Sequence, residues 1–202
     1  MAFVPAAGPF ASFDTLRAEA LGCTRCALSA TRSQVVFGVG DEQARLMFVG
    51  EAPGEQEDSR GEPFVGRAGT LLTRCIEEIG LSRKEVYIAN VVKCRPPNNR
   101  DPLPAEIEAC RPFLAAQVAF IRPVVVVTLG NFATKLLLAT KEGITRLRGR
   151  EVPFGDDGAV LIPMLHPAAV LRNGGKALAE TRADFVVAKR ALDRQAYRPA
   201  AS

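Results

Sequence analysis

Cys23 and Cys26 form a C-x2-C pair in GCTRCALS, and Cys94 and Cys110 bracket the stretch RPPNNRDPLPAEIEA. A close pair lets two thiolates from one turn share a metal, whereas the second pair needs a stiff loop to bring its ends together. Pro96, Pro97, Pro102 and Pro104 supply that stiffness by fixing φ. Four thiolates suit zinc or an iron–sulfur cluster, and spacing does not separate the two. The bland alternative is ordinary buried or surface thiols. Cys75 falls on the apolar side of a helical pattern and reads as a small core residue rather than a fifth ligand. The odd total of five cysteines argues against a disulfide framework.

A second cluster lies in GEAPGEQEDSRGEPFVGRAG, residues 50–69, where Glu51, Glu55, Glu57, Asp58 and Glu62 share a segment with Gly50, Gly54, Gly61 and Gly66. Glycines let a backbone approach a ligand closely. The spacing matches neither a P-loop nor a dinucleotide fingerprint, so no nucleotide cofactor is expected. Carboxylates repel phosphates; they suit fixing a water, shaping a pocket, or stabilising positive charge on a substrate. A solvated surface loop is the competing reading. Phe64 is a core anchor or a stacking platform. Asn90, inside an apolar run, must satisfy its amide internally or offer a planar donor–acceptor pair to a ligand. His166 is the only histidine, so a histidine-based metal site is excluded.

These residues need elements to hold them. RLMFVG ending at Gly50, VYIANVV ending at Val92, VVVVTLG ending at Gly130 and AVLIPML ending at Leu165 read as strands buried on both faces. Helical patterns lie between them: Leu71, Leu72, Cys75, Ile76 and Ile79 share a face, Pro104 opens a helix through AEIEACRPFLAAQVAFI, and NFATKLLLAT follows the third strand. Leu178, Phe185, Ala188 and Leu192 mark a last helix. Alternation of strand and helix implies an α/β fold with right-handed crossovers, whose ligands bind beyond the carboxyl ends of the strands. GEAPGEQED, Asn90 and HPAAVLRN all fall at that edge.

The 202 residues, 48% apolar, suit a single domain over 1–202 with 1–12 and 194–202 as loose tails. A net charge of +4 and a pI near 8.9 permit nucleic-acid binding without demanding it. Basic islands at Lys93, Arg95 and Arg100, at Arg146, Arg148 and Arg150, and at Arg172 and Lys176 offer phosphate contacts or plain surface charge. No apolar run reaches the roughly 18 residues of a membrane span, and MAFVPAAGPF lacks a secretory pattern, so a cytoplasmic monomer is expected.

GEAPGEQED, PFVGRAG, NVVKCRPPNNRDP and HPAAVLRN, with the cysteines paired as C-x2-C and C-x15-C, resemble the family 4, iron–sulfur uracil-DNA glycosylases, from about Leu21 to Leu192. The resemblance implies a three-layer α/β/α sandwich on a four-stranded parallel sheet. It assigns Cys23, Cys26, Cys94 and Cys110 to one four-iron four-sulfur (4Fe-4S) cluster and names uracil-containing DNA, single- or double-stranded, as the partner. Uracil would be flipped out and its N-glycosidic bond hydrolysed. By that likeness Phe64 stacks on the base, Asn90 accepts from N3–H and donates to O4, and Glu57 stands against the C5 methyl of thymine. His166 donates to O2, and Glu51 organises the water or the charge on the sugar, with Gly50, Ala52, Pro53 and Gly54 shaping the loop. Val170, Leu171 or Arg172 wedges into the duplex, which of them being left open, and Leu171 and Arg172 are expected to bind DNA. The alternative is a metal-braced module that binds DNA without cutting it.

Overall fold

The computed structural model describes residues 3–196. Six strands form one mixed sheet: β1 (Val39–Gly40), β2 (Leu46–Gly50), β3 (Tyr87–Asn90), β4 (Val125–Leu129), β5 (Val152–Phe154) and β6 (Ala159–Met164), in the order β1-β3-β2-β4-β6-β5. The inner four, β3, β2, β4 and β6, are parallel, as their apolar runs predict. The expected four-stranded sheet is thus the centre of a larger one, with antiparallel β1 and β5 at its edges. Both edge strands are too short, at two and three residues, for a period of two to show in the sequence.

Among the described residues eight α-helices complete the fold: α1 (Phe13–Leu21), α2 (Glu55–Arg60), α3 (Arg67–Glu78), α4 (Pro104–Ile121), α5 (Asn131–Leu138), α6 (Ile144–Leu147), α7 (Pro167–Asn173) and α8 (Gly175–Ala196). Alternate residues of β2 face opposite ways. Met47 and Val49 join Tyr87, Val126, Leu161 and Phe113 of α4 in one core. Leu46 and Phe48 join Ile88, Val127, Ile76 of α3 and Phe185 of α8 in the other. Covering on both faces is why these strands read as unbroken apolar runs.

Residues 3–12 are not loose. Phe3 stacks on Phe154 with ring centroids 6.1 Å apart, Phe10 on Phe113 at 5.9 Å, and Ser12 caps α1 by accepting from the N–H of Thr15. Burying two phenyl rings outweighs the disorder that Pro and Gly suggest locally. The C-terminal boundary also moves: 194–196 continue α8, with Arg194 paired to Glu151 and Gln195 donating to the carbonyl of Gly158, while 197–202 lie outside the described residues. Strand β3 stops at Asn90, short of Val92. The N–H groups of Val91 and Val92 still donate to the carbonyls of Gly50 and Glu51, at 2.9 and 3.1 Å, so the chain leaves the ladder while remaining tied to β2.

Phe48 is wholly buried in the second strand of the parallel set and stacks on Phe185 at 5.7 Å. Its replacement by alanine is expected to lower unfolding free energy in urea by about 3–5 kcal/mol, and by leucine much less. An equal loss for both would mean the aromatic contact, not the volume, carries the effect.

Candidate active site

Gly50 and Asn90 stand in register at the carboxyl ends of β2 and β3. A Cβ on Gly50 would lie 2.4 Å from Asn90 Oδ1 and 2.5 Å from Phe64 Cζ, so only glycine lets the amide and the phenyl ring meet over the backbone. Oδ1 of Asn90 is buried and has no hydrogen-bond partner among the described residues. An orphan acceptor of this kind costs about 1–3 kcal/mol, which a ligand donor would recover.

Phe64 holds φ at 55°, an uncommon conformation for a residue with a side chain. Three features sustain it. Arg83 donates to the carbonyls of Pro63 at 2.9 Å and Phe64 at 3.3 Å. Gly69 leaves room for the Phe64 carbonyl, which a Cβ there would meet at 1.7 Å. Glu57 Oε1 accepts from the N–H groups of Val65 and Gly66, at 3.0 and 3.2 Å. Glu57 is aimed there by α2, which the glycine-rich sequence hides. Glu55, Glu57 and Asp58 occupy its first turn, where the helix dipole favours negative charge, and Gly61 ends it at φ 74°.

The five acids of the loop therefore divide. Asp58 is buried and accepts from the N–H of Ser33 through both oxygens, at 3.0 Å. Glu55 and Glu62 face solvent. Glu51 and Glu57 line a cleft of about 470 Å³ together with Phe64, Asn90, His166 and Arg172; Ala52 also contributes to its wall. Burial raises the Glu51 pKa, and neighbouring Asp101 raises it further. Asp101, like Asn99 and Pro96, reaches the cleft from the loop between Cys94 and Cys110. The sequence marks this stretch as a stiff loop and part of a motif without marking any of the three as a cleft residue, because only the closed loop turns them inward.

His166 ends the stretch after β6 and caps α7, its Nδ1 accepting from the N–H of Ala168 at 3.2 Å. The neutral ring must then carry its proton on Nε2. Burial, with the nearby charge of Arg172 adding to it, lowers its pKa to about 4 against the opposing pull of Glu57. Its ring centroid lies 5.7 Å from that of Phe64, inclined by 35°. Asn90 and His166 thus share one cleft.

Cys23, Cys26, Cys94 and Cys110 line a separate common cavity, and all are free thiols. Cys75 is buried with α3 in the core across the sheet, apart from them. Among the described residues, no group of three or more His, Cys, Asp or Glu side chains is arranged around a metal-ion position. The fit of the cavity to a metal group rests instead on its donors. Arg32 Nη1 lies 3.3 Å from Cys94 Sγ, the N–H of Lys93 3.2 Å from Cys110 Sγ and the N–H of Arg25 3.5 Å from Cys23 Sγ. Donors of this kind stabilise thiolates.

A family model described as the uracil DNA glycosylase superfamily matches residues 37–193. The chain belongs to that superfamily. It is 48% identical over 166 residues to a type-4 uracil-DNA glycosylase of Archaeoglobus fulgidus, covering 79% of this chain and 83% of the relative. It is 50% identical over 152 residues to one of Thermotoga maritima, covering 75% and 79%. A third, of Sulfurisphaera tokodaii, is 46% identical over 169 residues, covering 80% and 77%.

In this glycosylase-superfamily chain α7 separates the three expected wedge candidates by burial. Val170 is 2% exposed and packs with Ile144, Leu165 and Ala177, so it cannot enter a duplex. Leu171 is 44% exposed, and Arg172 lines the cleft. The basic islands need correction. Lys93 is buried and Arg148 holds Asp184, leaving these two unsuited to phosphate, whereas Arg100 grips the buried Glu106 with two bonds of 2.7 and 2.9 Å yet stays exposed at the cleft. No helix among the described residues is long and apolar enough to cross a membrane.

The depressed pKa makes a direct expectation. Folded His166 stays neutral as pH falls through 6.5, where the unfolded ring begins to protonate, so its burial subtracts stability progressively between about pH 6.5 and 4. An NMR titration of this single histidine is expected to show the Nε2–H tautomer and no midpoint above about pH 5. A midpoint near 6.5 would contradict the burial.

Proposed function

We propose that the chain is a DNA repair glycosylase that flips uracil out of DNA and hydrolyses its N-glycosidic bond, leaving an abasic site. The observation that carries this reading is the orphan Oδ1 of Asn90 meeting the edge of Phe64 over Gly50. An extruded pyrimidine on Phe64 brings an N–H donor to that acceptor only if its N3 is protonated, as in uracil and not in cytosine. Cytosine would leave both acceptors unpaired, a strong basis for rejection. Thymine shares the edge of uracil and must be refused by bulk at C5, the place we assign to Glu57.

His166 then faces O2 of the base with Nε2–H. When the bond from N1 to C1′ breaks, the electron pair leaves with uracil, and a neutral donor stabilises the resulting oxyanion. Water adds at C1′ as positive charge develops on the sugar. Glu51 is assigned to orient that water or offset that charge, and its raised pKa suits accepting a proton. Gly50 and Ala52 keep the floor free of bulk. Leu171, exposed on α7, is assigned to fill the gap left in the stack, with Arg172 beside it on the DNA backbone.

Cys23, Cys26, Cys94 and Cys110 would hold one 4Fe-4S cluster. That group supplies rigidity: it would close the loop carrying Asn99 and Asp101 against the cleft. Uracil-containing DNA is the partner in this reading, and the fold acts as a single domain and monomer without nucleotide cofactor.

The deciding experiment incubates the purified protein with a uracil-containing oligonucleotide, followed by alkali. Strand breaks at the uracil are expected; intact strands would leave a binding module. Asn90→Asp, which cannot donate to O4, is expected to reduce the preference for uracil over cytosine by about a hundredfold or more in the same assay. An unchanged preference would remove Asn90 from base reading.

A further inference from the structure

Lys93 lies between the cysteine cavity and the base cleft and is 2% exposed. Its ammonium has two acceptors among the described residues, the backbone carbonyl of Asn90 at 2.8 Å and Oε1 of Gln117. Gln117 is itself held, its Nε2 donating to the carbonyl of Phe37 at 2.8 Å and to the hydroxyl of Tyr87 at 3.1 Å. Nothing in this arrangement is a carboxylate. A buried ammonium without a counter-ion is unfavourable, and Lys93 lines the same cavity as Cys94 and Cys110, whose sulfurs can offset it.

The backbone of Lys93 points the same way. Its N–H donates to Cys110 Sγ at 3.2 Å, its carbonyl accepts from Val36 at 2.8 Å, and the next residue is Cys94. One residue therefore touches the cysteine site through its main chain and the peptide of Asn90 through its side chain. Residues 90–93 form a short clasp closed by the bond from Nζ to the Asn90 carbonyl, while Val91 and Val92 bind the edge of β2 at Gly50 and Glu51.

We propose that Lys93 is a positioning residue that couples the four-cysteine site to Asn90, so that the filled site and a bound uracil stabilise each other. Four thiolates on an iron–sulfur core carry net negative charge, which attracts the ammonium and keeps the clasp shut. The shut clasp holds the Asn90 peptide, and with it the amide, against Phe64. Coupling of this sort is reciprocal: whatever the cluster does for uracil affinity, uracil does for the cluster. The inference rests on the function proposed above.

The test uses the cluster-loaded protein and free uracil, with free cytosine as control. Two quantities are read: the calorimetric affinity for each base, and the rate at which a chelator removes the absorbance near 400 nm, a band of iron–sulfur thiolates. In the wild type, saturating uracil is expected to slow that loss about fivefold, cytosine not at all. Lys93→Met is expected to bind uracil about tenfold more weakly and to lose the protection. Gln117→Leu, which keeps the lysine and frees one of its anchors, is expected to reduce the protection by about half, and it decides the matter if Lys93→Met cannot be obtained loaded. Equal protection in the wild type and the variants, or none in a wild type that binds uracil, overturns the coupling alone. A wild type without the absorbance, or without affinity for uracil, overturns the proposed function as well.

Discussion

No carbon atom fits on Gly50. Asn90 Oδ1 and the tip of the Phe64 ring already occupy the space, and the rest of the cleft is arranged to keep them there. Two segments meet at this point: the parallel register of β2 with β3 sets the amide, and the turn into α3 sets the ring. The turn is costly by itself, since Phe64 has a left-handed backbone. Arg83 from outside and Glu57 from inside hold its carbonyls and N–H groups, so the strain is local and the ring is rigid.

Charge in this protein is sorted by burial more than by count. The acids of residues 50–69 look like one anionic patch, but Asp58 fastens Ser33, Glu57 fastens the Phe64 turn, and Glu51 alone stands beside a second carboxylate at Asp101. The cations sort likewise. Arg100 answers the buried Glu106, Arg148 answers Asp184, and Lys93 is turned inward to a carbonyl. His166, drained of its charge by burial, is left as a neutral donor with a defined tautomer. A net charge of +4 conveys little of this.

The cysteine cavity and the cleft are neighbours because the chain between Cys94 and Cys110 serves both. Its two ends are sulfurs, and its middle, with Asn99, Arg100 and Asp101, is a wall of the cleft. Asp58 ties the acidic helix to the segment that follows the first cysteine pair, so a third strand of chain joins the same unit. If the four cysteines hold the proposed cluster, stiffness on that side would reach the other by covalent connection and by Lys93.

The sequence alone determined the parallel centre of the sheet, because strands covered on both faces must be apolar throughout, and it placed Gly50, Asn90 and His166 at one edge, because that is where such strands end. It also marked the four cysteines by their spacing. The tertiary structure decided what spacing cannot encode. Edge strands of two and three residues carry no period, α2 is masked by the glycines that bound it, and the N-terminal segment is ordered by Phe3 and Phe10 finding partners more than a hundred residues away. Lys93 reads in the sequence as part of a basic island offering phosphate contacts or surface charge, and Arg83 and Asp101 carry no signal of their own, since a one-dimensional chain shows which groups are ionisable and not which are enclosed. Val170 and Leu171 are adjacent and nearly alike in chemistry, yet helical rotation buries one and exposes the other. Enclosure and facing arise only when distant segments pack, and in this molecule they separate the residues that line the cleft from those that hold them in place.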